Sequence, residues 1–209
     1  MFQIRQEVSS DIGTITALLD AGFGAERRSR TVYRLRQGVP AQGLAFVAAD
    51  PISDEPLATL RFWEVALGEG GKAGPATLLL GPLAVHPELR GQGLGRALVS
   101  HGLTVAREQG WQLCVVSGEP SYYTPYGFED AAPYGLMMPG PVHAGWLQIK
   151  AFEPSALDAL SRGPLSRVEN RILAVLPPDR RCVRHADAAL PPVISGFGIH
   201  AQTGETRLA

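Results

Sequence analysis

The feature that most constrains this chain is a glycine-dense turn, Arg90-Gly91-Gln92-Gly93-Leu94-Gly95, set between an apolar run and an amphipathic segment. The run Thr77-Leu78-Leu79-Leu80-Gly81-Pro82-Leu83-Ala84-Val85 is too apolar and too short for anything but a buried strand. On the far side Leu94, Ala97, Leu98, His101 and Val105 recur at helical spacing until Gly110 supplies a stop signal. A strand that turns through glycines into a helix exposes backbone N–H groups, and the helix N-terminus adds partial positive charge. Such a junction suits phosphate oxygens; the plainer alternative is a tight turn whose glycines serve backbone geometry alone. Two other glycine-loop readings fail on spacing. A dinucleotide fingerprint would find Arg96 or Leu98 where its last glycine belongs. A P-loop needs Gly-Lys-Ser/Thr, and this turn has no lysine.

A second motif follows the next strand-like run. In Tyr122-Tyr123-Thr124-Pro125-Tyr126-Gly127-Phe128, Tyr123 stands four residues before Gly127. A tyrosine cluster before a glycine also reads as an amphipathic lid, each ring buried with its hydroxyl wet. In chain order, however, strand, Arg-x-x-Gly-x-Gly, helix, strand and Tyr-x-x-x-Gly-Phe resemble the acyl-CoA-binding core of the GNAT (Gcn5-related N-acetyltransferase) superfamily. Leu-Ala-Val-His-Pro-x-x-Arg-Gly-x-Gly, the second tyrosine of the pair and Pro139-Gly140-Pro141 look like its bacterial YhbS-type branch. The resemblance runs from about Phe2 to Phe152.

That resemblance implies an α/β (α+β) GNAT fold: a mixed central sheet of about seven strands, one pair splayed apart, with flanking helices. It implies acetyl-CoA as co-substrate, an amine acceptor and no metal. Backbone of Leu83, Ala84 and Val85 would pair with the pantetheine arm and polarise the thioester carbonyl. Amides of Gly91, Gln92, Gly93, Leu94, Gly95 and Arg96 would hold the pyrophosphate, with the Arg90 and Arg96 side chains adding charge-assisted contacts. Tyr123 would protonate the departing thiolate. Gly81-Pro82 suits the strand's departure from its neighbour, because proline cannot donate to a ladder and glycine permits a bulge.

The general base departs from the family pattern. Many members carry a glutamate four residues before the leucine matching Leu83; this chain has Leu79 there, with Leu80 beside it. Glu64, His86 and Glu119 are substitutes by location, alongside water leading to bulk solvent. Each has a plainer reading: Glu64 as an edge-strand solubiliser, His86 as a turn residue, Glu119 as a carboxylate favoured at a helix start.

Composition limits the partners. Hydrophobic residues make up 45% and charged residues 19%, as in an ordinary soluble globule. A net charge of −1 offers no field to draw in nucleic acid or anionic membrane, so a phosphate site must be local. No apolar run approaches the roughly 20 residues that cross a bilayer, and the N-terminus lacks a signal-peptide layout. Cys114 in a strand-like run and Cys182 in a polar tail read as reduced thiols, which points to the cytoplasm.

Along the chain, strands are expected at Phe2–Arg5, Gly43–Ala49, Leu57–Val65, the run ending at Val85, and Trp111–Val116. Tyr134–Met138 and Trp146–Phe152 are expected to form a terminal hairpin across Pro139-Gly140-Pro141. A first helix capped by Ser9 or Ser10 should run to Gly22, and a second should span Glu26–Gln37. Residues 1–153 read as the transferase domain. Residues 154–209 form a proline-enriched extension, with one helix-like piece between Ser166 and Leu176 carrying Val168, Ile172, Leu173 and Val175. The extension can pack on the domain, close a homodimer or stay mobile. Besides the N-acetyltransferase, two other classes stay open: a non-catalytic acyl-CoA-binding sensor, and a scaffold that grips a partner through the extension.

Overall fold

Alternation along the central strands sorts their side chains into two cores and decides where the helices lie. A computed structural model describes residues 1–68, 75–161 and 171–175. The strands are β1 (Gln3–Gln6), β2 (Ala45–Ala49), β3 (Pro56–Gly68), β4 (Thr77–Val85), β5 (Leu113–Ser117), β6 (Glu129–Asp130), β7 (Leu136–Met137), β8 (Leu147–Ala151) and β9 (Arg171–Val175). The helices are α1 (Ile12–Phe23), α2 (Leu94–Glu108), α3 (Pro120–Tyr123) and α4 (Pro154–Ser161). The strands form one mixed sheet in the order β1-β2-β3-β4-β5-β8-β6, with β9 joining β3 to β7. The β4–β5 and β7–β9 pairs are parallel and the rest antiparallel.

On one face Phe46, Leu60, Phe62, Leu78 and Leu80 pack against Leu94, Leu98 and Leu103 of α2. Gly102 of α2 sits where a Cβ would lie 2.5 Å from the Phe62 ring, so the helix approaches the sheet through a missing side chain. On the other face Val47, Ala49 and Ala84 meet Ile15, Leu18 and Leu19 of α1. Farther along that face, Trp63, Val65 and Leu79 pack with Ala156 and Leu160 of α4. This is the period-two pattern of strands covered on both faces.

All seven expected strands are present, and β6 and β9 add to them. Neither Ser9 nor Ser10 caps the first helix: both lie in a 3-10 turn that ends at Asp11, the N-cap of α1. Three further expectations fail. The helix expected over Glu26–Gln37 is two 3-10 turns, Ala25–Ser29 and Thr31–Leu35, broken at an extended Arg30. Arg30 leaves the helical conformation to put its guanidinium on the Phe23 carbonyl at 3.1 Å and over the Phe23 ring, where it serves the end of α1. The terminal hairpin does not form. β8 pairs with β5 and β6, whereas β7, shortened by a 3-10 turn at Ala132–Tyr134, pairs with β9. The third is the helix-like piece of the extension: residues 171–175 are a strand. Val65 pairs with Thr77 of β4 and with Val175 of β9, so β9 takes the edge of β3 that β2 vacates beyond Arg61. An open strand edge recruits β-branched chain more strongly than helical periodicity holds it. Val168 and Cys182 lie outside the described residues.

Candidate active site

Strand β4 changes neighbours halfway along its length. Thr77 to Leu80 pair in parallel with Leu113 to Val116 of β5, and there the pairing stops. Across from β3 the register jumps, Leu60 opposite Leu83 but Phe62 opposite Leu80, so Gly81-Pro82 forms a bulge. Beyond it Leu83, Ala84 and Val85 stay paired to β3, while the ladder to β5 has already ended at Val116. Their outer edge therefore has no strand beside it among the described residues, and a cleft of about 1620 Å³ opens there. An unpaired edge lined by backbone N–H and C=O groups accepts an extended chain as if it were another strand.

The glycine turn leads into α2, whose first turn reaches this opening at Arg96. A 3-10 turn, Pro87–Leu89, leads into Gly91 and Gly93, both at positive φ (80° and 88°), and Gly93 is the N-cap of α2. No side chain caps the helix, and its first closing bond runs from the Ala97 N–H to the Gly93 carbonyl at 2.9 Å. Helix geometry leaves the Leu94, Gly95 and Arg96 amides without intrahelical acceptors. Gly91, Gln92, Gly93, Arg90 and Arg96 are exposed, and nothing lies within 4 Å of a Cβ built on Gly91 or Gly93. Arg96 lines the cleft.

The tyrosine segment forms the opposite wall. Pro120 starts α3, a 3-10 turn at Thr124–Tyr126 follows, and Gly127 ends it at positive φ. Tyr123 is 9% exposed and packs edge-on against Tyr122 and Phe128, with centroids at 5.0 and 5.8 Å. A Cβ on Gly118 would lie 2.5 Å from the Tyr123 ring. Gly118 is itself held, its N–H donating to Trp146 and its carbonyl accepting from Gln148 Nε2, both at 3.0 Å. Burial pushes the Tyr123 hydroxyl well above the usual phenol range, with Arg36 pulling the other way. Tyr122, whose hydroxyl covers Gly95, is pushed up to about 12 by burial. All three tyrosines line the cleft.

The substitutes for the missing carboxylate are scattered. Glu64 faces Leu78 across the β3–β4 ladder, away from the cleft lining. His86 is exposed beyond the end of β4. Glu119, the N-cap of α3, does line the cleft, and Ser121 Oγ donates to it at 3.5 Å. Leu79 is buried in the core beside α4, and Leu80 is the leucine at the cleft wall. Among the described residues no group of three or more His, Cys, Asp and Glu is placed to hold a metal ion.

Sequence reasoning missed Gly118 and Arg36. Gly118 was legible only as a glycine after a strand. Arg36 lay in the stretch Glu26–Gln37 read as a helix; it follows the second of the two 3-10 turns found there, and it lines the cleft.

An open strand edge, the first turn of a helix without a side-chain cap and a buried tyrosine meet at one cleft, on a fold shared with acyl-CoA-dependent N-acyltransferases. The chain belongs to the GNAT N-acetyltransferase family. The family described as Acetyltransferase (GNAT) domain matches residues 41–130. The N-acetyltransferase YhbS of Escherichia coli K12 is 32% identical over 160 residues, covering 76% of this chain and 92% of that protein. The crystal structure of E. coli YhbS in complex with CoA aligns with TM-score 0.66 at 29% identity, over 82% of this chain and 88% of that one. A GNAT family acetyltransferase of Brucella melitensis, in complex with acetyl-CoA, aligns with TM-score 0.57 at 26% identity, over 74% and 90%.

Proposed function

We propose that this chain transfers an acetyl group directly from acetyl-CoA to an amine, with no covalent acyl-enzyme. One observation carries the reading: Leu83 at the open edge of β4 and Arg96 in the first turn of α2 line one cleft with Tyr123. The pantetheine arm adds to that edge, and a backbone N–H there polarises the thioester carbonyl. The pyrophosphate rests on the amides from Gly91 to Arg96, with Arg90 and Arg96 at its flanks. The neutral amine attacks the carbonyl carbon, the C–S bond breaks, Tyr123 gives its proton to the departing thiolate, and the proton shed by the new amide nitrogen passes through water and restores the tyrosine.

The acceptor ammonium must first lose a proton. Glu119 is the one carboxylate of the three substitutes that borders the cleft, and water shares the task. We place the reaction in the cytoplasm, where a buried thiol such as Cys114 stays reduced. Residues 154–209 serve packing or assembly rather than chemistry. Among the described residues no helix is long and apolar enough to cross a membrane.

The test is release of free CoA from acetyl-CoA in the presence of amines, with the acetylated product identified by mass spectrometry. A second reading, an acyl-CoA-binding module without turnover, is favoured by the apolar pair Leu79 and Leu80: the first stands where many family members carry a glutamate and is buried, and the second lines the cleft. CoA binding without release in any amine would select that second reading.

A further inference from the structure

Arg36 is a cation set in the cleft wall with no carboxylate partner among the described residues. Its Nε is enclosed and has no hydrogen-bond acceptor. No ion pair joins it to a carboxylate of the described residues. The Tyr33 ring stacks on the guanidinium, 4.8 Å from its carbon, and burial pushes its pKa down to about 10, so it stays charged at neutral pH. Burying a charge costs free energy unless an opposite charge or hydrogen bonds compensate. Arg36 lines the cleft, so an anion entering the cleft can reach it.

The fold makes room for this cation at the reaction centre. A Cβ on Gly81 would lie 2.6 Å from Arg36 Nη2, so the glycine of the β4 bulge is also what admits the guanidinium. Arg36 and Tyr123 line the same cleft, and the guanidinium's charge opposes the upward push that burial gives the Tyr123 hydroxyl. The cleft's other arginines have tasks: Arg30 is held by Phe23, and Arg96 stands at the α2 N-terminus. Thr31 Oγ1 donates to the Pro141 carbonyl at 2.9 Å, tying together two segments that line the cleft.

Resting on the transferase reading above, we infer that the acceptor is a small amine carrying its own oxyanion, a carboxylate or phosphate, which Arg36 receives beside the bulge at Gly81. A planar fork of N–H donors in a partly desolvated site favours such a group over a neutral isostere.

The test measures acetyl transfer, CoA release and acceptor binding to the protein–CoA complex with three matched panels: α-amino acids, aminoalkyl phosphates, and the carboxamides or alcohols of each. The full chain should prefer an oxyanion-bearing panel by on the order of 10-fold to 100-fold in kcat/KM, the range for a hydrogen-bonded charge. The better of the two anionic panels identifies the group. Arg36→Gln should bring that preference to within about 3-fold through KM, with CoA affinity kept, and Arg36→Lys should restore part of it. Equal use of the neutral panel, no binding of any anionic amine, or an Arg36→Gln loss falling equally on kcat for all acceptors would overturn the inference. The last result would assign Arg36 to Tyr123 instead. Failure of the full chain to bind CoA sinks the transferase reading itself and is seen separately by calorimetry.

Discussion

Tyr123 is where residue-scale physics bears most directly on catalysis. Burial is the main reason its hydroxyl holds its proton far above neutral pH, so the proposed acid is loaded throughout the working range. Tyr123→Phe removes a hydroxyl and almost no volume. Turnover should fall by on the order of 10²–10⁴, the range for a positioned acid, with CoA affinity unchanged. The same change at Tyr122 or Tyr126, which are more exposed, should cost much less. Steady-state kinetics on the three variants decides it, since equal small losses would make the cluster a lid. The pH profile follows from the same residue. A raised pKa keeps the donor protonated, so no falling limb from Tyr123 should appear below about pH 10. The rate should rise with pH as the acceptor, with a pKa of about 10.4 for an alkylamine, loses its proton. A plateau already at neutral pH would show that a dedicated base lowers that requirement.

At the scale of elements, two junctions carry testable consequences. The first is the turn into α2. A Cβ at Gly93 would point into open space where the pyrophosphate is proposed to lie, and its φ of 88° disfavours a branched side chain. Gly93→Val should therefore abolish CoA binding. A melting curve separates that loss from misfolding, and calorimetry showing undiminished CoA affinity in a folded variant would reduce the loop to a plain turn. The second junction joins β1 to α1. Arg5 donates to both oxygens of buried Asp11 at 2.7 and 3.0 Å, and the Val8 N–H donates to the same carboxylate at 2.9 Å. The hydrogen bond from Arg5 is the main cause holding the Asp11 carboxyl below its ordinary value. A depressed folded pKa means the stabilisation is complete above the unfolded value of about 3.9 and is lost as pH falls below it. Asp11→Asn should cost about 1–3 kcal/mol at neutral pH and less at pH 3 or below. Denaturant titration at both pH values checks this; an equal loss at each would mean that shape, not charge, matters at that site.

For the whole molecule, the covering of the sheet is the issue. Ala156 and Leu160 of α4 and Leu173 of β9 share a core with Trp63, Val65 and Leu67, although these two elements follow the segment that resembles the family. Truncation after Phe152 should uncover that face and lower solubility, with CoA binding retained in whatever stays folded, because the cleft is built from earlier residues. A soluble truncated protein with unchanged melting temperature and no CoA affinity would overturn this division of labour.

What the sequence determined by itself was local and periodic. The strand from Thr77 to Val85, the glycine turn, the α2 stripe and the order of the two motifs depend on neighbours in the chain, and the bulge at Gly81-Pro82 follows from two residues that cannot continue a ladder. Tertiary structure decided the rest, because those choices turned on partners far away in sequence. Arg30 broke a helix to reach Phe23, and β9 became a strand because β3 offered an unpaired edge. β7 and β8 parted because each found a better neighbour than the other. Arg36 entered the cleft only through that broken helix and a glycine on another strand, a meeting of positions that no periodicity in the chain encodes.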